Sequence, residues 1–416
     1  MERLIIDGGY KLSGRVRVQG AKNGALPILA ATLIGGRSVI HNCPHLSDIE
    51  NCLKILKTLG CNVERKGCDV FVTPIKPIRC EIPPELMRCM RSSVIFLGAM
   101  LSRCGRAVVS APGGCELGDR PIDLHLSAMR AMGASIREEG GFIICETKSS
   151  LRGADIALPF PSVGATENIL LAAARAKGRT VLTGAAREPE IVELAEFINA
   201  MGGRVSGAGS DRIVIDGVAS LGDAEHTCIP DRIVAATYIA AAVTTGSCIT
   251  LCGINRSFMD SVLSAFVQMG CTFSFEGNNM TVFPPKRVNA VRNIRTMPYP
   301  GFPTDAQAVV AATLVTARGT SVINETVFGN RFRYISELKR MGADADIEGS
   351  IAVIRGVTAL SGASVECTDL RGGAALVVAA LGAKGRSFIC KPCYIDRGYE
   401  NIEGVLSSLG AKIIRT

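Results

Sequence analysis

The apolar positions of this chain predict two kinds of helix. Residues 233–243, 308–317 and 374–383 are apolar on every side, which is typical of helices buried in a core. Residues 335–341 are apolar on one face only, which predicts a helix at the surface. Short stretches such as residues 69–73 alternate between polar and apolar positions, as strands that cover a core do. The pattern therefore predicts an α/β protein whose most apolar helices are internal.

The same order of elements recurs six times along the chain. A helical stretch, a Met-Gly or Leu-Gly pair and a strand pattern recur around glycines that are 68 to 73 residues apart. A second glycine, which ends an apolar helical stretch, precedes each of these by 23 to 28 residues. The later set is Gly60, Gly133, Gly202, Gly270, Gly342 and Gly410, and the earlier set is Gly36, Gly105, Gly178, Gly246, Gly319 and Gly385. Each unit of about 70 residues thus predicts helix, strand, helix, strand, strand.

Six repeats in 416 residues exceed one ordinary core and predict two domains of three repeats each. The middle of the repeat series falls near a polar segment, residues 221–231, so we place the boundary near residue 229. Residues 4–19 predict two strands, which could close the last sheet of the second domain. The predicted first domain is residues 21–229, and the second is residues 1–20 plus 230–416.

Composition narrows the class of protein. Lysine and arginine number 46 against 38 aspartate and glutamate residues, a net charge of +8 that is dispersed rather than in tracts. Aromatic residues make 5 % of the chain and tryptophan is absent, which argues against binding nucleic acid by base stacking. The hydrophobic fraction of 47 % argues against disorder. The longest apolar run is too short to span a membrane. The charge favours small anionic ligands.

The 16 cysteines indicate buried thiols rather than a disulfide framework. The start of the chain lacks the apolar stretch of a signal peptide, so we expect a reducing cytoplasm. Cys61, Cys248 and Cys271 lie in apolar runs, where a thiol behaves as a small hydrophobic side chain. Cys390 and Cys393 form a lone CxxC motif without a second pair at zinc spacing, and the chain has four histidines. We therefore expect no metal site.

Two glycine-rich segments depart from the repeat and carry candidate chemistry. Lys22 and Asn23 follow a strand pattern and open a helix, where an anion meets a positive charge and the helix dipole. An ordinary surface lysine in a turn is the alternative. Residues 111–123 form a loop rich in glycine and proline that presents Cys115 beside Arg120. Such a loop is typical of a mobile lid, and the arginine favours the thiolate.

Two further helix starts carry carboxylates. Asp305 opens a buried helix and could act as a general base, although Thr304 and Gln307 also fit an ordinary capping box. Asp369 and Arg371 open another helix, as a cap or as a polar pair in a site. With these carboxylates, the cations at element ends predict an interdomain site for a multiply anionic substrate. Those cations are Lys22, Arg91, Arg120, Arg331, Arg371 and Arg397.

These segments jointly resemble the UDP-N-acetylglucosamine enolpyruvyl transferase (MurA) family over essentially the whole chain. The resemblance rests on dispersed motifs that include GAKNG at 20–24, the Cys115 loop, SVGATEN at 162–168, FPTD at 302–305, NRF at 330–332, DLR at 369–371 and IDRGYE at 395–400. It implies two inside-out α/β domains, each of three βαβαββ repeats, with the active site in the cleft between them. It also implies transfer of the enolpyruvyl group of phosphoenolpyruvate to the 3′-hydroxyl of UDP-N-acetylglucosamine through a tetrahedral ketal, without cofactor or metal.

The resemblance assigns roles position by position. Cys115 matches the lid thiol, a general acid that also bonds to phosphoenolpyruvate and is alkylated by fosfomycin. Asp305 matches the base, and Lys22, Arg120 and Arg397 match the cations around phosphoenolpyruvate. The implied catalytic residues are Cys115, Asp305, Lys22, Arg397 and Asp369. The implied substrate-binding residues are Lys22, Asn23, Arg91, Arg120, Pro121, Ile122, Asp123, Leu124, Ser162, Val163, Gly164, Asp305, Val327, Arg331, Arg371 and Arg397.

Some positions depart from the family pattern. Ile95 and Phe160 stand where some members have tryptophan and lysine, which affects the expected uridine contacts rather than the reaction. We expect a monomer with small-molecule substrates and without nucleic acid or membrane partners. Two alternatives stay open. One is the sister transferase acting on shikimate 3-phosphate, which is not expected to have the Cys115 loop, and the other is a low-activity paralogue or repeat-built binding protein.

Overall fold

The computed structural model describes residues 2–110 and 122–416. Cys115, Arg120 and Pro121 therefore lie outside the described residues. The chain forms two compact units. The first unit comprises residues 20–110 and 122–229, and the second joins residues 2–19 to residues 230–416. Within the described ranges, every helix is too short or too polar to cross a membrane.

The first unit contains alternating helices and strands. The chain opens with β1 (Arg3–Asp7) and β2 (Arg15–Arg17), which belong to the second unit. The first unit then comprises α1 (Lys22–Ala31), β3 (Ser38–His41), α2 (Ser47–Leu59), β4 (Cys61–Lys66), β5 (Asp69–Pro74), α3 (Pro84–Cys89), the 3₁₀ helix Arg91–Ile95, α4 (Phe96–Cys104), β6 (Arg106–Ser110), α5 (Asp123–Ala131), β7 (Ser135–Glu139), β8 (Phe142–Glu146), β9 (Asp155–Ala157), α6 (Val163–Ala173), β10 (Arg179–Thr183), α7 (Pro189–Ala200), β11 (Val205–Ser206), β12 (Arg212–Asp216) and β13 (Ala224–Thr227).

Three sheets of this unit correspond to its three repeats, with strand orders β13-β3-β5-β4, β6-β8-β7 and β11-β12-β10-β9. Strand β13 lies in the polar segment around the predicted boundary. It pairs in parallel with β3, with Ala224 opposite Ser38 and Thr227 opposite His41. The segment is therefore more than a connection, because it supplies the edge strand of the first sheet. In the third sheet, β9 takes the same place beside β10.

The second unit continues the same order of elements. It comprises α8 (Arg232–Thr244), β14 (Ile249–Cys252), the 3₁₀ helix Arg256–Phe258, α9 (Asp260–Gln268), β15 (Thr272–Glu276), β16 (Asn279–Phe283), β17 (Ile294–Arg295), α10 (Thr304–Leu314), β18 (Thr320–Asn324), α11 (Arg333–Arg340), β19 (Asp344–Glu348), β20 (Ile351–Arg355), β21 (Ser364–Glu366), α12 (Leu370–Gly382), β22 (Arg386–Cys390), the 3₁₀ helix Pro392–Arg397, α13 (Ile402–Ser408) and β23 (Lys412–Arg415). Its sheets have the orders β15-β16-β14-β2, β17-β18-β20-β19 and β21-β22-β1-β23.

The opening strands complete two different sheets of the second unit. Strand β1 lies between β22 and β23, with Ile5 opposite both Phe388 and Ile414. The prediction that the opening segment closes the last sheet is thus confirmed for β1. For β2 it is wrong, because β2 pairs in parallel with β14, with Val16 opposite Leu251. Strand β2 is the parallel edge strand beside β14, as β13 is beside β3 in the first unit.

Each unit buries its most apolar helices and covers them with sheets. Helices α1, α4 and α6 lie in the core of the first unit, and α8, α10 and α12 pack on one another in the second. The surface helix α11 buries only Tyr334, Ile335 and Leu338. The predicted inside-out α/β fold with buried central helices is confirmed. Close helix packing requires glycine at position 98, where a Cβ would lie 2.3 Å from the carbonyl oxygen of Asn168 on α6.

The repeated glycines mark the ends of the repeated helices. All except Gly36 have a positive φ, for example 102° at Gly60 and 98° at Gly270. Only glycine adopts this left-handed conformation without a steric cost, and it turns the chain from helix into strand. At Gly36 the requirement is space, since a Cβ would lie 2.2 Å from Oδ1 of Asp223.

Candidate active site

In the second unit, two buried arginines hold the carboxylate of Asp305 at the start of α10. Arg331 donates from Nη2 to Oδ1 at 2.8 Å. Arg371 donates from Nε and Nη2 to Oδ2 at 3.2 and 3.0 Å. Both arginine side chains are 3 % exposed, whereas that of Asp305 is 27 % exposed. Each carboxylate oxygen thus accepts charge-assisted hydrogen bonds from one arginine, and the exposed part of the carboxylate leaves it accessible to a ligand.

Asp369 fixes the start of α12, from which Arg371 projects. Its Oδ1 accepts hydrogen bonds from the backbone N–H groups of Arg371 and Gly372, both at 3.0 Å. The Arg371 guanidinium also lies 5.6 Å from the ring centre of Tyr399. Burial lowers the pKa of Arg371, but the charge of Asp305 and other neighbours outweighs it, so that the pKa is raised. Asp369 thus acts as the helix cap that the sequence allowed, and this cap positions Arg371.

The capping box suggested for Thr304 and Gln307 is wrong. Helix α10 follows Pro303 and has no side-chain cap. The Thr304 hydroxyl instead donates to Oε2 of Glu325 at 2.8 Å, and Gln307 accepts a hydrogen bond from Tyr334 at 2.8 Å. Both side chains form contacts with residues distant in sequence, which local spacing could not reveal.

Glu325 is a buried carboxylate that sequence reasoning missed. Its Oε1 accepts hydrogen bonds from the Thr296 hydroxyl and from the backbone N–H groups of Val327 and Phe328, at 2.9, 2.8 and 3.1 Å. With the Thr304 bond, it connects the start of α10 to the backbone at Val327. The available signal was an acidic residue that directly follows the partly buried strand β18.

Arg397 ends a 3₁₀ helix that an ion pair anchors. The preceding residue, Asp396, accepts hydrogen bonds from Nη1 and Nη2 of Arg415 at 2.9 and 2.6 Å. Arg415 lies at the end of β23, so the segment that carries Arg397 is tied to the last sheet. Arg397 itself is half-buried.

In the first unit, Lys22 opens α1 and forms an ion pair with Asp48 in the first turn of α2. Nζ of Lys22 lies 2.6 Å from Oδ2 of Asp48, and the two side chains are 10 % and 2 % exposed. Asn23 is exposed beside it. Gly24 lets α1 approach α7, since a Cβ there would lie 2.1 Å from Oε2 of Glu193. The lysine predicted to bind an anion therefore lies at a tightly packed helix start, with its ammonium group paired to Asp48.

Residues predicted to bind the substrates lie on three elements of the first unit. Arg91 opens a 3₁₀ helix, residues 122–124 lie at the start of α5, and residues 162–164 lie at the start of α6. Ser162 caps α6 by accepting a hydrogen bond from the backbone N–H of Ala165 at 3.3 Å. Of the two departures from the family pattern, Ile95 is buried and Phe160 is 45 % exposed.

Asn168 and His125, neither of them predicted as a site residue, join these three elements. Asn168 is fully buried on α6. Its Oδ1 accepts from the N–H of Gly98 at 2.7 Å, and its Nδ2 donates to the carbonyl oxygen of Val94 at 2.9 Å. Nδ2 also lies 2.7 Å from Nδ1 of His125 on α5. Burial, with the positive charge of Arg91, lowers the pKa of His125 to about 4.

Metal binding finds no support in the described part of the chain. There, no group of three or more histidine, cysteine, aspartate or glutamate side chains is placed to hold a metal ion. The described cysteines, including Cys390 and Cys393, are free thiols.

Comparison with known proteins identifies the family. The family model of EPSP synthase (3-phosphoshikimate 1-carboxyvinyltransferase) matches residues 6–406. UDP-N-acetylglucosamine 1-carboxyvinyltransferase 2 of Caldanaerobacter subterraneus is 48 % identical over 416 residues, with 100 % of both chains covered. UDP-N-acetylglucosamine 1-carboxyvinyltransferase 1 of Symbiobacterium thermophilum is 48 % identical, with 100 % of this chain and 95 % of that protein covered.

Among solved structures, the enolpyruvyl transferase NikO from Streptomyces tendae has a TM-score of 0.90 at 25 % identity, covering 100 % of this chain and 99 % of that one. The inside-out repeats and the full-length identity lead to one assignment: the chain belongs to the enolpyruvyl transferases, in the family of the UDP-N-acetylglucosamine 1-carboxyvinyltransferases.

Proposed function

We propose that this protein transfers the enolpyruvyl group of phosphoenolpyruvate to the 3′-hydroxyl of UDP-N-acetylglucosamine and releases phosphate, the first committed step of peptidoglycan synthesis. The relatives that carry this name are 44 to 48 % identical over the full length of the chain. The observation in the structure that carries the proposal is the carboxylate of Asp305, held between Arg331 and Arg371 with part of its surface exposed.

The reaction needs two proton transfers and a site for several anions. In the addition, Asp305 takes the proton of the 3′-hydroxyl, and the hydroxyl oxygen bonds to C2 of phosphoenolpyruvate. The C3 methylene receives a proton from the Cys115 thiol. In the elimination, the Cys115 thiolate takes a proton back from C3 while the C2–O bond to phosphate breaks, and the departing phosphate takes up the proton from Asp305. Lys22, Arg120 and Arg397 bind phosphoenolpyruvate, and Asp369 positions Arg371 as described above.

The remaining site residues divide by substrate. We assign the residues around the starts of α5 and α6, together with Val327, to the uridine and diphosphate, and Asn23 to the sugar nucleotide. Buried Asn168 supports this group by joining its elements. Arg91 and Arg331 are further substrate-binding arginines. Cys115 is the thiol that fosfomycin alkylates. The domain assignment, residues 21–229 and residues 1–20 with 230–416, belongs to this proposal, as do a cytoplasmic location and a monomeric state.

Transfer to shikimate 3-phosphate is the second candidate function. One observation favours it, namely the description of the family model that matches residues 6–406. Full-length identity of 44 to 48 % to the UDP-N-acetylglucosamine enzymes outweighs that description.

The test measures phosphate release from phosphoenolpyruvate with UDP-N-acetylglucosamine or with shikimate 3-phosphate, before and after fosfomycin. We expect release only with UDP-N-acetylglucosamine and its loss after fosfomycin. Release only with shikimate 3-phosphate would transfer the protein to the second candidate. A folded protein that releases no phosphate with either acceptor would favour a low-activity paralogue or a binding protein.

The role of Asp305 has its own test. Asp305→Asn keeps the shape of the side chain but removes the base, so we expect binding of UDP-N-acetylglucosamine with a loss of turnover of about 100-fold or more. Asp346→Asn is the matched control, because Asp346 pairs with Arg355 on the exposed surface of the same unit. Near-normal turnover of Asp305→Asn would remove Asp305 as the base.

A further inference from the structure

The buried amide of Asn168 has only one possible orientation. Its oxygen faces a backbone N–H, that of Gly98, and its nitrogen faces a backbone carbonyl, that of Val94. Exchanging the two amide atoms would place donor against donor and acceptor against acceptor at 2.7 and 2.9 Å. Two backbone groups therefore set the direction of the third hydrogen bond, which runs from Nδ2 of Asn168 to Nδ1 of His125.

This direction sets the proton position on His125. Nδ1 accepts, so the neutral ring carries its hydrogen on Nε2. His125 is 7 % exposed, and Arg91 and Asp123 are the charged groups near it. Within the described ranges, no residue accepts a hydrogen bond from Nε2. The ring is thus a neutral donor whose tautomer is chosen by the protein before any ligand arrives.

The free edge of His125 faces the start of α6. A Cβ on Gly164 would lie 3.2 Å from Cε1 and 3.5 Å from Nε2 of His125. Any side chain larger than hydrogen at position 164 would therefore crowd this edge of the ring. Gly164 follows Ser162 and Val163 at the helix start, next to the residues assigned above to the nucleotide.

We propose that Asn168 is a positioning residue that fixes His125 as an Nε2–H donor, and that this donor binds a carbonyl oxygen of the uracil ring of UDP-N-acetylglucosamine. The proposal rests on the proposed function and adds two residues to it. A neutral donor suits a neutral acceptor such as the base carbonyl. A phosphate oxygen would gain more from a charged imidazolium, which burial and Arg91 oppose.

The first test reads the ring directly. The chain has four histidines, so ¹⁵N spectra of the labelled protein resolve His125 once His125→Gln has assigned it. We expect the Nε2–H form between pH 5 and 8, and a shift of the Nε2 resonance when UDP is added. Inorganic pyrophosphate at the same concentration should leave the resonance in place. An Nδ1–H form, or an equal response to pyrophosphate, would overturn the proposal.

The second test separates the donor from the fold. His125→Gln can accept from Asn168 and still offer an N–H, so we expect its KM for UDP-N-acetylglucosamine to stay within about threefold. His125→Phe offers neither, so its KM should rise about tenfold, the effect of one lost hydrogen bond. In His125→Phe, kcat and the KM for phosphoenolpyruvate should change by less than about threefold, because the proposed contact is to the nucleotide alone.

The third test concerns Asn168. In Asn168→Asp, the carboxylate accepts from Gly98 but cannot donate to His125, so the ring must place a proton on Nδ1. We expect the ¹⁵N spectrum to show that change and the KM for UDP-N-acetylglucosamine to rise about tenfold. The matched control is Asn199→Asp, since Asn199 makes two comparable bonds to the backbone of Val205 in the same unit. It should lose stability without a change in KM.

The outcomes separate the two levels of the proposal. If calorimetry finds no binding of UDP-N-acetylglucosamine to the unmodified protein, the proposed function fails. If the nucleotide binds but His125→Phe and Asn168→Asp keep the unmodified KM, only the role of His125 and Asn168 fails. If Asn168→Asp does not fold, the ¹⁵N spectrum of the unmodified protein and the KM values of His125→Gln and His125→Phe still test the proposal.

Discussion

Arg371 places two of its nitrogen atoms, Nε and Nη2, on a single carboxylate oxygen of Asp305. The other oxygen of Asp305 receives Nη2 of Arg331. The carboxylate is therefore fixed in rotation as well as in position, because each oxygen has its own arginine. In the proposed reaction, a base held in this way meets the substrate hydroxyl in one geometry, which lowers the entropic cost of reaching the transition state.

Replacing Arg371 by lysine should reduce turnover while leaving the fold intact. Lysine keeps the charge but offers a single ammonium group, so the two-point contact with Asp305 is lost. We expect kcat to fall about tenfold or more. Arg355→Lys, at an exposed pair with Asp344 and Asp346, should change kcat by less than about twofold. Steady-state kinetics on the two variants gives the answer, and equal rates would show that the two-point contact is dispensable.

Glu325→Gln should weaken the second unit near Val327. The carboxylate of Glu325 receives four hydrogen bonds, and an amide can accept at only one of its two atoms. Hydrogen bonds to a charged group contribute more than those to a neutral one, so we expect a loss of about 1–3 kcal/mol in the free energy of unfolding. Urea titration measures it. Exposed Glu348→Gln is the control and should stay within about 0.5 kcal/mol.

Gly98→Ala should disrupt the packing of α4 on α6. The added Cβ would lie 2.3 Å from the carbonyl oxygen of Asn168, so the helices must separate or the Asn168 bonds must break. Overpacking of this kind costs about 1–3 kcal/mol or more. At Gly67, where φ is +58° and the space is open, alanine costs only the left-handed strain of about 1–2 kcal/mol. In thermal unfolding, Gly98→Ala should have a lower melting temperature than Gly67→Ala, and the reverse order would contradict the close packing of α4 on α6.

Stability should fall on acidification because of His125. Its folded pKa of about 4 lies below the ordinary value of 6.5, so the unfolded chain takes up the proton first. Proton uptake by the unfolded state therefore lowers the free energy of unfolding between about pH 6.5 and pH 4. The loss amounts to about 3 kcal/mol once His125 is protonated in both states. His125→Gln should flatten the pH profile of the free energy of unfolding in this window. A profile unchanged by the substitution would assign the acid sensitivity to other groups.

The repeat architecture was accessible from sequence because its determinants are local. A glycine with positive φ at Gly60 or Gly270 leaves the same mark in every repeat, and an all-apolar helix such as α8 is recognisable without its neighbours. Candidate site residues such as Asp305 and Lys22 were visible for the same reason, as charged residues at helix starts.

What sequence reasoning missed depends on contacts between distant residues. The partner of Thr304 is Glu325, 21 residues away, rather than Gln307 in the next turn. Asn168 forms hydrogen bonds with Gly98 and His125, which are 70 and 43 residues away in the sequence. The local pattern of α6 therefore does not indicate that Asn168 connects several elements. Strand β2 has only three residues, and its pairing with β14 follows from the sheet it completes rather than from its own composition.

The place of β1 between β22 and β23 imposes an order on folding during translation. The strands of the first unit described above are all present in the nascent chain once residue 229 has left the ribosome, so that unit can form while synthesis continues. Residues 3–7 leave the ribosome before every other strand described here, and both of their neighbours in the sheet follow only after the first unit has been made. This apolar strand therefore stays unpaired while the first unit and most of the second are made, and during that interval its edges are open to a chaperone or to another unfinished copy of the chain.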